Sequence, residues 1–420
     1  MVRFALLSGM LFLGCTLLSA APPEPAQSPR VRVVDLSHGE SVDVELCDGS
    51  KVRVKLLDLK ETRDSLRDAV RNAQVQVEIG GRNAWLTSAN YNLPVAVGKV
   101  QIDCPITKGT TANANGDHWG LEKDARLRLW PAGSPLFLPG KFVYPLKQRW
   151  FVSATQMANE PVYADGGENP QLRKIYYHYG LDFGGAEGLS EIVAATDGLV
   201  VSAGKAVLPG YSDTPVAPRY DVIYLLDAQG WYYRYSHLYS FAQGVQAGVK
   251  VKAGQPLGVL GKEGASGGWS HLHFDIFCRQ PSGKWGCQEA YALVWEAYRQ
   301  QYDPKLVAVA RPHHFLAAGE TAMHVAYYPT FALAPGDVVT FKARMFGATQ
   351  GEETWDFGDG SPKATTRSNR SAEEHAKDGY ATITHGYERP GHYLVRVERN
   401  DGRGWPAIGC VYVPVGTDSK

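Results

Sequence analysis

Short runs in which apolar and polar residues alternate, broken by glycine turns, recur along most of this chain. Ser270-His271-Leu272-His273-Phe274-Asp275-Ile276-Phe277 is the clearest run, with apolar residues at 272, 274 and 276 and polar ones at 271, 273 and 275. A period of two belongs to a strand with one buried and one polar face. Gly198 to Ala203, Val222 to Leu226, Val249 to Leu260, Val42 to Leu46 and Val52 to Leu57 read the same way. The fold expected is mostly β. Glycine and proline together make up about a sixth of the 420 residues, below the roughly 25% of a low-complexity chain. Helical spacing is found twice. Leu66, Ala69, Val70 and Ala73 predict one helix, and Gln288 to Gln301, with Ala290, Leu293, Val294 and Ala297 on one face, predicts another.

The length suggests about three domains. A small β-rich domain with one helix is expected over 31–140, a second β-rich unit over 141–312, and a pure strand-and-turn unit over 318–416. Ahead of them, Arg3 and the apolar run Phe4 to Ala21, ending in Ser19-Ala20-Ala21, have the order of a cleaved secretory signal (1–21). Lipid attachment at Cys15 is a second route, and a retained anchor a third. No later segment is long and apolar enough to span a membrane. Residues 22–30 are proline-rich and predicted to be extended and mobile. Export makes disulfides possible: Cys278 with Cys287 across Pro281-Ser282-Gly283, and Cys47 with Cys104, leaving Cys410 over. The net charge is zero, 43 basic against 43 acidic residues. This disfavours a large nucleic-acid or anionic-membrane surface, because such binding rests on general attraction to phosphate.

The chemistry concentrates in the middle unit. His271 and His273 point the same way, roughly 6.5 Å apart along their strand, so one can bind a metal while the other reaches a water or substrate on it. In Tyr177-His178-Tyr179-Gly180-Leu181-Asp182-Phe183 a strand would put His178, Gly180 and Asp182 on one face, with no side chain at 180 between an imidazole and a carboxylate. His237 lies in Tyr235-Ser236-His237-Leu238. Each piece alone is near chance in a chain with twelve histidines, and alone each reads as a surface or core histidine. Together, two histidines and an aspartate would leave a zinc ion one open position for water, the arrangement of a catalytic site. Two histidines remain for proton transfer and oxyanion stabilisation. The glycines at 261, 264, 267 and 268 read as a groove wall or simply a loop. The His118/Glu122 pair has helix spacing, but Gly116 and Gly120 make it a loop.

The motifs HYGLDFGG (178–185), ATDGLVVSAG (195–204), YSHLYS (235–240), GVKVKAGQPLGVLGKEGASGG (248–268) and SHLHFDI (270–276) resemble, in this order, the lysostaphin/LytM-type zinc metallopeptidases. These enzymes cut peptide cross-links in bacterial cell walls. The resemblance implies a β-barrel-like core of duplicated-hybrid-motif type, zinc held by His178, Asp182 and His273, and His237 and His271 as the catalytic pair, with base and oxyanion roles interchangeable. It implies bacterial peptidoglycan peptides as partners, and an upstream segment able to keep the site latent. Two departures concern the groove walls: Lys262-Glu263-Gly264-Ala265-Ser266-Gly267 before the H-x-H pair, and a long loop from Gly204 to Tyr220 containing Pro209, Pro215 and Pro218. The rival classes are a wall-binding protein without turnover, a peptidase of protein substrates, and a biotinyl- or lipoyl-type carrier. A carrier needs a lysine at a hairpin tip, and none is so placed. Trp355-Asp356-Phe357-Gly358-Asp359-Gly360 with Tyr387, Pro390-Gly391 and Tyr393-Val395-Val397 resembles the polycystic-kidney-disease-type (PKD) domain, an immunoglobulin-like sandwich used as a spacer or binding module. Asp356 and Asp359 read as turn formers before calcium ligands.

Overall fold

The computed structural model describes residues 22–150, 152–164, 174–211, 213–302, 323–345, 351–368, 379–400 and 406–417. The signal and Cys15 fall outside them, as does the join between the second and third units. The described residues are mostly antiparallel strands, as the alternation requires.

The N-terminal residues form two four-stranded sheets around one core. Leu36, Val54, Val75, Val77, Ile102 and Leu127 fill it from alternate strand positions. The helix expected around Leu66 is absent. The strand Lys51–Arg63 ends, a turn occupies 64–69, and Val70–Ile79 runs back beside it. Asp64 Oδ1 accepts from the backbone N–H of Leu66 (3.1 Å) and Arg67 (2.5 Å), which makes the turn. Val70, Ala73, Val75 and Val77 are then buried strand residues, whereas Leu66 is 76% exposed. A turn followed by an alternating strand mimics helical spacing over one heptad. A six-residue helix stands at Lys108–Asn113 instead. The second expected helix is present as Tyr291–Gln301.

The central unit has a nine-stranded sheet, in which His271–Arg279 lies between Tyr232–Ser236 and Leu181–Gly184. A three-stranded sheet of Glu191–Val193, Pro256–Leu260 and Leu238–Phe241 shares its core. Leu181, Ile223, Leu225, Tyr235, Leu272, Phe274 and Ile276 from the large sheet meet Ile192, Leu238, Leu257 and Leu260 from the small one. The leader is seated rather than free: Gln27 N–H donates to the Ala228 carbonyl (3.0 Å). The C-terminal residues form a sandwich of a three- and a four-stranded sheet around Tyr327, Phe341, Trp355, Val395, Val397 and Val413. Asp356 and Asp359 accept from the backbone N–H of Gly358 and Ser361, both at 3.0 Å, as turn formers do.

The five cysteines described are all free thiols. Cys287 pairs across the ladder with Phe277, not Cys278, so the two sulfurs belong to opposite faces of the hairpin. Cys104 is buried in the N-terminal core. Both expected staples are therefore corrected.

Candidate metal and catalytic site

The ladder assembles the site. Asp182 pairs with His273, Gly184 with His271, and Ser236, just before His237, with His273 across the other edge. His178 does not lie on the strand of Asp182, contrary to the alternation argument. It sits in the loop between Ile175–Tyr177 and Leu181–Gly184. Its N–H donates to the Glu160 carbonyl (2.9 Å), and its carbonyl accepts from Asn159 N–H (2.6 Å). Gly180 is needed for a concrete reason. A Cβ there would meet the His273 ring at 2.8 Å and the Phe274 carbonyl at 2.9 Å.

His178 Nε2, His273 Nδ1 and Asp182 Oδ1 form a triangle with edges of 3.0, 2.9 and 3.2 Å. Donors at zinc distances in a tetrahedron lie about 3.3 Å apart, so the triangle has the size for such an ion. Among the described residues it is the group of three or more such side chains able to hold a metal. The neighbouring groups suit that use. His178 Nδ1 faces the Met157 carbonyl at 3.1 Å, and His273 Nε2 faces Asp275 Oδ2 at 2.9 Å. Each contact puts the ring proton on the far nitrogen and leaves the other as a ligand atom. Arg234 lies 3.4 Å from Asp275.

His237 and His271 stand beside this triangle, ring centroids 4.6 Å apart. His271 Nε2 is 3.4 Å from Asp182 Oδ2, and its Nδ1 faces the Trp269 carbonyl at 3.0 Å. His237 Nδ1 faces the Glu263 carbonyl at 2.6 Å and Arg219 Nη2 at 3.3 Å. The shorter contact decides the tautomer: Nδ1 carries the proton. Both neutral rings thus present a bare Nε2. His237 has a φ of +70°, a left-handed backbone that non-glycine residues seldom adopt. It falls where the chain leaves the large sheet for the small one, and Asp221 Oδ2 holds it by accepting from its backbone N–H (2.9 Å).

All five residues are 3–6% exposed. Burial pushes the His271 and His237 pKa values down, His271 well below the usual range. Burial raises Asp182, but its interactions with the His178, His271 and His273 rings outweigh it and hold the carboxyl well below its ordinary value. Burial likewise lowers His273, but hydrogen bonds to Asp182 and Asp275 outweigh it and raise the ring.

Sequence reasoning missed Arg219, Asp221, Arg234, Asp275 and Trp269. Asp275 carried a signal, since it shares the polar face of the strand with His271 and His273. Asp221 and Arg219 carried none, because only the fold brings the long loop's end to His237. His118 stacks on Tyr179 (4.2 Å, 24°), and Tyr179 packs edge-on to His273 (5.5 Å, 76°), so the N-terminal domain reaches the rim of the site. Glu122 pairs instead with Lys284 (3.1 Å).

A buried His–Asp–His triangle that could hold a metal ion, with two further histidines beside it, thus sits on a two-sheet β core. Residues 176–283 match the model of peptidase family M23, and residues 309–410 match that of the PKD domain, so the chain carries an M23 peptidase domain followed by a PKD domain. No curated protein matches the chain. The catalytic domain of the prophage-encoded M23 protein EnpA from Enterococcus faecalis is similar at 22% identity. It covers 37% of this chain and 93% of its own, with a TM-score of 0.23. Csd3 from Helicobacter pylori is similar at 16% identity over 66% of this chain and 85% of its own, also with a TM-score of 0.23.

Proposed function

We propose that the chain is an exported zinc-dependent endopeptidase that hydrolyses peptide cross-links of bacterial peptidoglycan. The observation that carries this reading is the donor triangle flanked by two histidines whose Nδ1 atoms are held by backbone carbonyls, which leaves each Nε2 bare. His178, Asp182 and His273 would hold zinc, which when bound supplies a Lewis acid and a water of lowered pKa. His271 is assigned as the base. Its bare Nε2 faces the site, and burial keeps the ring neutral near pH 7. His237 is assigned as the donor to the tetrahedral oxyanion. Donation requires its protonated form, and Asp221, 3.6 Å from Nδ1, stands ready to balance that charge. The Asp221 carboxyl itself is buried, but His237 and Arg219 hold it ionised, well below its usual range.

The test is mass spectrometry of soluble products from purified sacculi incubated with the protein, with and without a zinc chelator. Chelator-sensitive release of peptides with new amine ends is expected. His273→Ala should lose zinc and turnover together, whereas His237→Ala should keep zinc and lose turnover. Full zinc retention in His273→Ala overturns the ligand assignment. Zinc bound without any release would favour a wall-binding role or a protein substrate.

A further inference from the structure

Three side chains of the PKD domain reach into the peptidase domain. His324 and Lys342 lie on its strands Met323–Tyr328 and Val338–Met345, and Tyr380 directly precedes Ala381–Gly386. The register pairs His324 with Arg344 and Ala326 with Lys342, so these residues share the face opposite the apolar core of Val325, Tyr327, Phe341 and Ala343. On an independent sandwich this polar face would be wet. Here His324, Lys342 and Arg344 are buried, and Tyr380 is too. Lys342 Nζ donates to the Glu187 carbonyl (2.7 Å).

The contacts of Tyr380 and His324 form a directed chain. The backbone N–H of Ser270 donates to the Tyr380 hydroxyl (2.8 Å), and that hydroxyl faces His324 Nδ1 (3.0 Å). His324 Nε2 faces Ser153 Oγ (2.6 Å), which donates to the Val325 carbonyl (2.9 Å). One assignment satisfies every group: Tyr380 donates to a bare Nδ1, and Nε2–H donates to Ser153. Gly184, which pairs with His271, has no room for a side chain, because a Cβ there would run into the Ala154 carbonyl and meet Ser153 Oγ at 3.0 Å and His324 Nε2 at 3.1 Å.

The segment held in this way leads into the catalytic strand. Trp269 stacks on His271 (3.9 Å, 19°) and meets His324 edge-on (5.6 Å, 62°). It follows Gly264, Gly267 and Gly268, all with positive φ; Ser266 Oγ donates to the Lys262 carbonyl (2.5 Å) and accepts from Gly268 N–H (3.2 Å), so the run is tied to itself as far as Gly268 and Tyr380 takes over at Ser270. We infer that the PKD domain is a working part of the peptidase site, with Tyr380 and His324 as positioning residues that fix Trp269 to His271. This rests on the peptidase reading above.

The test compares the full chain with Tyr380→Phe and with Lys342→Met, which loses the donor to the Glu187 carbonyl but keeps the Tyr380 hydroxyl on Ser270. Exchange of the Ser270 amide, zinc content, and kcat and KM on sacculus-derived cross-linked peptides are measured for each. In Tyr380→Phe, Ser270 exchange should accelerate and kcat should fall between about ten- and a hundredfold, with KM and zinc unchanged. Lys342→Met should leave Ser270 exchange and kcat as they are. Unchanged Ser270 exchange in Tyr380→Phe overturns the brace. Faster exchange with unchanged kcat overturns its catalytic role. A wild-type chain without turnover refutes the peptidase reading instead, and the exchange result then decides the brace alone.

Discussion

Gly180 shows how one position governs the metal site. Its missing Cβ is the space that the His273 ring fills, and the Phe274 carbonyl closes the other side. The ring cannot yield, because Asp182 and Asp275 hold both its nitrogens. Gly180→Ala should therefore weaken zinc binding on the order of tenfold or more, read by competition with a chelating dye. Unchanged affinity would mean that the His273 ring tolerates displacement. Asp221 acts on His237 twice, through the backbone N–H and through the nearby Nδ1. Asp221→Asn keeps an acceptor for the N–H but removes the charge. It should leave zinc content intact and lower kcat by at least about tenfold, which steady-state kinetics would show.

At the level of elements, the alternation of polar and apolar residues foretold the strands because a sheet with one buried face demands it. It failed at 64–73, where a turn and an alternating strand together copy the spacing of a helix. The two readings differ in energy. A helix face would bury Leu66, and its loss would cost about 2–5 kcal/mol. In the turn Leu66 is exposed, so Leu66→Ser should change stability by less than about 0.5 kcal/mol in urea titration. Asp64→Ala should cost about 1 kcal/mol, since two backbone donors lose their acceptor. The cysteines follow from the same ladder logic. Cys278 and Cys287 sit on opposite faces of one hairpin, both buried, and burial pushes both thiols up. Native alkylation should label exposed Cys410 and spare Cys104, Cys278 and Cys287; mass mapping would show this.

Across the whole molecule, His324 couples pH to the union of two domains. Burial lowers its pKa to about 3, against an ordinary value of about 6.5. Below pH 6.5 the unfolded chain therefore binds a proton that the folded one refuses. The stability from His324 is complete above that pH and is lost as pH falls toward 3, by roughly 1.4 kcal/mol per pH unit. His324→Gln should flatten this slope between pH 6 and 4, measured by denaturation at fixed salt. An unaltered slope would assign the acid sensitivity to other groups.

Sequence alone determined the β class, a helix over 288–301 that forms as Tyr291–Gln301, the resemblance to a zinc peptidase and the face shared by His271 and His273. All of these rest on near neighbours in the chain or on motif order. It placed His178 on the strand of Asp182, although a loop carries it there. Only the tertiary structure decided that Asp221 and Arg219 grip His237, and that Tyr380 and His324 reach the segment before His271. Tyr380 lies 110 residues from Ser270. Such contacts depend on how sheets pack, and burial of a polar face between two domains leaves no period in a sequence, because a polar face reads alike whether water or another domain covers it.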